Sequence, residues 1–182
     1  MENKKLILGL VGEIASGKGS IVKYLEKRYS ATSNRFSTTL RNVLDRMYVD
    51  VNRKNMQTLS LILRQSFGEN LLAKIISKDA MNDDNPIVVV DGIRRPADIE
   101  FLSVLPEFKL AYVTTDMKTR YERIINRDEN KDDAAKTFEE FEQDHKAETE
   151  LEIPNIGKKA QIKIDNTGDF EGLYEQVDKI IN

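Results

Sequence analysis

Apolar residues along the chain form two kinds of run. Leu6-Ile7-Leu8-Gly9-Leu10-Val11 and Ile87-Val88-Val89-Val90 are unbroken, as strands buried on both faces of a sheet require. Residues 110–114 read as a third strand and 161–165 as a last one, and a weak strand falls around Arg35-Phe36. Elsewhere the apolar positions recur every three or four residues. Ile21, Val22 and Leu25 mark one face of a helix over 20–29, and Leu59, Ile62, Leu63, Phe67 and Leu71 mark a long helix over 55–80. Further helices are predicted over 40–48, 97–104, 117–127 and 169–181. Thr137 with Glu140 three residues on is a capping box, which opens a helix running to about residue 150. Residues 128–136 contain no large apolar side chain and read as a loop.

Strands alternating with long helical connections predict an α/β fold, a three-layer α/β/α domain around a mostly parallel sheet. At 182 residues, with no internal repeat or linker, residues 1–182 form one domain by this reading. Composition narrows the chemistry. The net charge of −3 speaks against a nucleic-acid binder, and the absence of cysteine removes disulfides, thiolate catalysis and cysteine-held zinc. The single histidine, His145, reads as an exposed helix residue. Because no targeting segment or membrane span is visible, a cytoplasmic protein is expected, without membrane partners.

The sharpest signal is Gly12-Glu13-Ile14-Ala15-Ser16-Gly17-Lys18-Gly19-Ser20, set between a buried strand and a helix. Glycines let a loop curl so that backbone N–H groups converge on phosphate oxygens, and the helix N-terminus adds partial positive charge. Gly12, Ala15, Ser16, Gly17, Gly19 and Ser20 therefore become candidate phosphate contacts, with Lys18 reaching the β- and γ-phosphates of ATP. The general motif has Ser or Thr directly after the lysine; here Gly19 intervenes before Ser20.

Asp91 ends the second buried run, where a carboxylate organises magnesium near the phosphates. Ser20 and Asp91 are accordingly the candidate Mg2+ ligands. Arg94 and Arg95 follow at the carboxyl end of that strand, where open α/β sheets bind ligands. Arg41 lies early in the helix after the second strand, and Arg120, Arg123 and Arg127 share one helix face. Guanidinium forks suit phosphate oxygens, and phosphoryl transfer asks mainly for such positioned cations. Arg123 and Arg127 are thus candidate catalytic residues beside Lys18 and Asp91. Arg41, Arg94 and Arg95 are candidate substrate contacts, whereas Arg120 reads as a solvated arginine.

These residues carry a resemblance to the nucleoside monophosphate kinase group of P-loop proteins over essentially the whole chain. The loop ending Gly17-Lys18-Gly19-Ser20 resembles the adenylate kinase loop, in which the extra glycine is normal. Asp91-Gly92-Ile93-Arg94-Arg95 is similar to that family's Asp-Gly-Phe-Pro-Arg, and Arg123-Ile124-Ile125-Asn126-Arg127 to the arginines that open its lid. A second resemblance is to dephospho-coenzyme A kinases, through Gly9–Lys18 and through Ile164-Asp165-Asn166-Thr167-Gly168; that turn would set Asn166 beside the adenine of ATP. The Asp-x-Asp element of those enzymes is absent, with Arg35-Phe36-Ser37-Thr38 in its place. The layout as a whole resembles a group of predicted nucleotide kinases.

The resemblance implies a five-stranded parallel sheet ordered 2-3-1-4-5. It implies an acceptor-binding helical region at 38–80 and a short lid at 128–136. It further implies an ATP- and Mg2+-dependent kinase of a nucleotide-like small molecule, acting as a monomer or homodimer. A nucleoside or deoxynucleoside monophosphate leads as acceptor. Dephospho-coenzyme A, or a P-loop ATPase or switch with no acceptor, are the alternatives.

Overall fold

The computed structural model describes residues 5–126, 136–146 and 148–182. Five strands form one sheet: β1 (Leu6–Val11), β2 (Thr32–Arg35), β3 (Ile87–Asp91), β4 (Phe108–Thr114) and β5 (Ile162–Asp165). They lie in the order β2-β3-β1-β4-β5, all parallel, as expected. Asp91 registers with both Leu10 and Arg35, and Thr114 with Asp165, so the carboxyl ends of the strands share one edge. The phosphate-loop sequence leaves the centre of that edge.

Side chains of successive strand residues point to opposite faces, and the core divides accordingly. Leu8, Leu10, Val89, Ala111 and Val113 pack with Ile21, Val22 and Leu25 of α1 (Lys18–Tyr29) and with Leu173 and Val177 of α9 (Phe170–Ile181). Ile7, Val11, Val88, Val90 and Leu110 face the other layer, which holds α2 (Phe36–Arg46), α3 (Arg53–Phe67) and α4 (Leu71–Asn82).

Several predicted elements differ in extent. The expected helix over 55–80 is two helices, because Gly68 takes φ 102°, ψ 149°, a conformation that only glycine adopts without strain. The segment predicted as a helix over 97–104 is a short 3-10 turn, Pro96–Ile99, followed by turns. The strand expected at Arg35-Phe36 ends at Arg35, and α2 begins at once, four residues before its predicted start. Helix α5 (Met117–Ile125) is followed, beyond the described gap, by α6 (Phe138–Asp144), which carries the predicted capping box: Thr137 Oγ1 accepts from the Glu140 N–H while Glu140 accepts from the Thr137 N–H. Instead of running on to residue 150, α6 gives way to the short α7 (Glu148–Leu151) and α8 (Ile153–Gly157). Arg127 and nearly all of the expected lid fall in 127–135, outside the described residues. Among the described residues no helix is long and apolar enough to cross a membrane.

Candidate functional site

The loop after β1 is built by close approach and by reversed backbone. A Cβ on Gly12 would come within 2.4 Å of the Val113 carbonyl oxygen, so no side chain fits there. Ala15 (φ 61°) and Gly17 (φ 99°) are left-handed, the backbone form that folds consecutive N–H groups toward an anion. Gly17 is also the residue from which α1 starts, and a Cβ on it would lie 2.0 Å from Asn166 Nδ2. At Gly19, by contrast, a Cβ would meet nothing within 4 Å. Ser20 lies in the first turn of α1, its N–H donating to the Gly17 carbonyl at 3.0 Å.

Lys18 folds back along the loop. Its Nζ donates to the carbonyls of Gly12 (2.6 Å) and Glu13 (3.1 Å) and stands 3.5 Å from Ser16 Oγ. Burial holds its pKa below the ordinary lysine value. Asp91 is the strongest neighbouring charge opposing that depression, Arg94 adds to it, and Glu150 and Glu13 oppose it more weakly.

Asn166 and Arg123 brace the loop from the β5 side. Asn166 is buried, with its Nδ2 donating to the Ser16 carbonyl at 2.8 Å. Arg123 donates to the Asn166 carbonyl at 2.9 Å and to Thr115 Oγ1 at 3.4 Å. The Asn166 amide is thus occupied in holding the loop from behind.

Asp91 closes β3 with one carboxylate oxygen accepting from the Gly92 N–H at 2.8 Å and the other 3.3 Å from Arg35 Nε. Asp98 shapes the next turn by accepting from the backbone N–H groups of Arg94 (2.9 Å) and Arg95 (3.0 Å). Its own carboxyl is pushed up by burial, against the pull of those two donors. The two arginines then diverge. Arg94 pairs with Glu150 of α7, whose second oxygen accepts from the Ile14 N–H at 3.3 Å. Arg95 lies 3.7 Å from Glu69, which also lies 3.5 Å from Arg64. Arg41 is exposed on α2, whose buried residues are Phe36, Leu40 and Leu44.

The structure therefore gathers Lys18, Asp91, Arg94 and the loop at one edge of the sheet, with Arg95 on the helical side. It also brings in residues to which the sequence reading gave no role. Arg120, expected in solvent, is buried beneath the loop: its Nε donates to the Thr115 carbonyl at 3.1 Å, and its Nη1 to the Ile14 carbonyl at 3.3 Å. It also meets His145, which is partly buried where an exposed residue was expected and whose Nδ1 bonds the Phe141 carbonyl at 2.8 Å. The three-residue spacing of Arg120 and Arg123 was the available clue, since it sets both on the face turned to the loop. Nothing in the local sequence distinguishes Glu150 from the acidic residues around it. Glu13 accepts from the Tyr112 hydroxyl at 2.6 Å while its other oxygen is buried without a partner.

A triphosphate fits this donor set: left-handed turns at Ala15 and Gly17, a helix N-terminus, a lysine and a nearby guanidinium. Magnesium keeps several waters and takes few protein oxygens, so the Ser20 hydroxyl and the Asp91 carboxylate are suitable donors. No cluster of three or more His, Cys, Asp or Glu side chains able to hold a metal occurs among the described residues.

Comparison with known proteins gives a family and a fold. The family model AAA_17, described as an AAA domain, matches residues 11–142, a span holding the phosphate loop, Asp91, Arg95 and α5. The UPF0200 protein TK1334 of Thermococcus kodakarensis is 28% identical over 182 residues, covering 97% of each chain. The UPF0200 protein MMP1282 of Methanococcus maripaludis is 23% identical over 184 residues, covering 97% of this chain and 98% of its own. Among solved structures, TT1252 from Thermus thermophilus superposes with a TM-score of 0.67 at 13% identity, over 98% of this chain and 97% of that one. Shikimate kinase from Bacteroides thetaiotaomicron gives 0.63 at 12% identity, over 96% of each. With the family model spanning most of its length and a sheet ordered as in P-loop kinases, the chain belongs to the AAA domain family and has the P-loop kinase-like fold.

Proposed function

We propose that the protein is an ATP-dependent kinase that transfers the γ-phosphoryl group to a nucleotide-like small molecule, with a nucleoside or deoxynucleoside monophosphate as acceptor. One observation carries the reading: the phosphate loop with its lysine, and Asp91 beside it, share a sheet edge with the β3 exit turn, which carries Arg95 on the side of the helical layer. A protein that only bound or hydrolysed ATP has no need of cations on that second side. That a structural neighbour is a shikimate kinase supports kinase chemistry on this fold.

In this reading the backbone of Gly12 and of residues 15–20 cradles the ATP phosphates, and Lys18 neutralises charge on the β- and γ-oxygens. Ser20 and Asp91 hold Mg2+, which supplies charge neutralisation across the same oxygens. Asn166 and Arg123 keep the loop in shape from behind, and Arg123 adds positive charge to that side. The acceptor lies between the α2–α4 layer and the turn carrying Arg94 and Arg95, with Arg95 gripping its phosphate and Arg41 at the rim. Transfer then proceeds by positioning and electrostatics, without a covalent intermediate on the protein.

A monophosphate acceptor is already ionised near neutral pH and needs no general base. A hydroxyl acceptor, dephospho-coenzyme A included, does need one, and the carboxylate that ends β3, Asp91, is engaged by Arg35.

The test is ADP release from MgATP against a panel of ribo- and deoxynucleoside monophosphates plus dephospho-coenzyme A. Acceptor-dependent ADP with one monophosphate is the expected result. Turnover with dephospho-coenzyme A alone would transfer the role to a hydroxyl, and slow hydrolysis indifferent to every acceptor would refute the kinase reading.

A further inference from the structure

Glu150 holds two groups that an anion should hold. Its side chain is 7% exposed, one oxygen pairs with Arg94, and the other accepts from the Ile14 N–H at 3.3 Å. Ile14 belongs to the phosphate loop itself. It directly follows Gly12 and Glu13, whose carbonyls receive Lys18 Nζ at 2.6 and 3.1 Å. A phosphate-loop lysine works at the β- and γ-phosphates, so this end of the loop is the terminal-phosphate end. The other end, at Gly17 and the start of α1, is the part that serves the inner phosphates.

A γ-phosphate brought to Lys18 would meet a carboxylate already seated on a loop N–H and on Arg94, the guanidinium that acts on Lys18. Two anions cannot share those donors in a buried site without strong repulsion. A phosphate also carries more charge and one more oxygen than a carboxylate, and guanidinium takes it in the same forked geometry. Of the neighbouring acids, Glu13 takes the Tyr112 hydroxyl with one oxygen and Asp91 pairs with Arg35, whereas Glu150 is the one bonded to Arg94 and the Ile14 N–H. A purely structural pair between α7 and the β3 exit turn would have no use for the loop N–H.

We propose that Glu150 is a placeholder for the terminal phosphate of a nucleoside triphosphate: it occupies Arg94 and the Ile14 N–H until the γ-phosphate takes both. Glu150 is on this view a specificity-determining residue. It weakens triphosphate binding by the cost of its own displacement and leaves diphosphate binding alone, because a diphosphate ends short of Ile14. Arg94, in turn, belongs to the ATP side of the site once Glu150 has let it go. The inference rests on the phosphate-loop reading above, but not on the identity of the acceptor.

The test measures the dissociation constants of MgATP and MgADP for the full chain by calorimetry. Glu150→Gln keeps the shape of the side chain and removes its charge; its single carbonyl oxygen can accept from only one of the two donors, since the amide nitrogen donates. It is expected to tighten ATP binding roughly tenfold, within the usual range of such couplings, with ADP changed less than about twofold. In the double variant Arg94→Met/Glu150→Gln the gain should vanish, since it acts through Arg94. Unchanged or weaker ATP binding by folded Glu150→Gln, with ADP binding intact, overturns the proposal.

A measurement on the wild-type protein needs no variant to fold. The Ile14 amide and Arg94 guanidinium resonances should move with a non-hydrolysable ATP analogue and stay put with ADP; equal responses to both would sink the idea. Wild-type protein that binds neither nucleotide would remove the phosphate-loop reading itself, a result distinct from either of these.

Discussion

Lys18 serves the site at the expense of the fold. Burial lowers its pKa, with Asp91 the leading counterweight, so the charged form is less comfortable folded than unfolded. For a lysine depressed in this way the penalty is full below the folded pKa. It fades as pH rises through the window between the folded and unfolded values, and is gone above both. Lys18→Met should therefore lose phosphoryl transfer by a factor of about 10²–10³ while being at least as heat-stable as the wild type at neutral pH. The stability gap should close as the pH is raised into the alkaline range, which melting curves across pH would check. Two glycines of the loop make a second contrast. Gly17→Ala combines a left-handed φ of 99° with a collision at Asn166 Nδ2 and should cost about 1–3 kcal/mol on denaturant unfolding. A Cβ on Gly19 meets nothing, so Gly19→Ala should fold like the wild type. Any loss of ATP affinity in that variant then reports the ligand's need for space.

At the scale of elements, the break between α3 and α4 matters most for the site. Gly68 ends α3, and the turn that follows carries Glu69 to within 3.5 Å of Arg64 and 3.7 Å of Arg95. Gly68→Ala should destabilise the protein by about 1–3 kcal/mol and shift Glu69 off both arginines. Arg95→Ala should raise the acceptor KM by about tenfold or more with ATP affinity unchanged, as removal of an acceptor-phosphate contact would; a fall in ATP affinity alone would put Arg95 on the donor side. Strands β1 and β3 were legible because residues buried on both faces must be apolar without interruption. Strand β2, Thr32–Arg35, has no apolar residue at all and pairs only with β3 at the sheet's edge, so its pattern carried almost no signal. The α3–α4 break was hidden for a related reason: one glycine inside an apolar rhythm does not announce whether its φ is reversed.

At the scale of the whole molecule, the loop is held by pieces far apart in sequence: Asn166 after β5, Thr115 after β4, Arg120 and Arg123 on α5, and Glu150 on α7. Ligand binding should consequently stabilise the entire fold. A MgATP concentration about 100 times its dissociation constant adds about 2.7 kcal/mol, which for a chain of this size raises Tm by roughly 5–10 °C. Lys18→Met should show little of that rise in a thermal melt.

The sequence by itself determined the central strands β1 and β3, the phosphate loop and the acidic end of β3. Each of these is a local requirement, whether an apolar run, a glycine where a Cβ cannot stand, or a carboxylate at a strand end, and a local requirement leaves its mark on adjacent residues. Only the tertiary structure decided that Arg120 lies buried under the loop, that Asn166 holds Ser16 from behind, and that Glu150 occupies Arg94 and Ile14. Those pairings join residues 56 to 150 positions apart. A charged side chain looks the same in a sequence whether it ends in solvent or against a partner, and only the packing of helices on the sheet chooses between them.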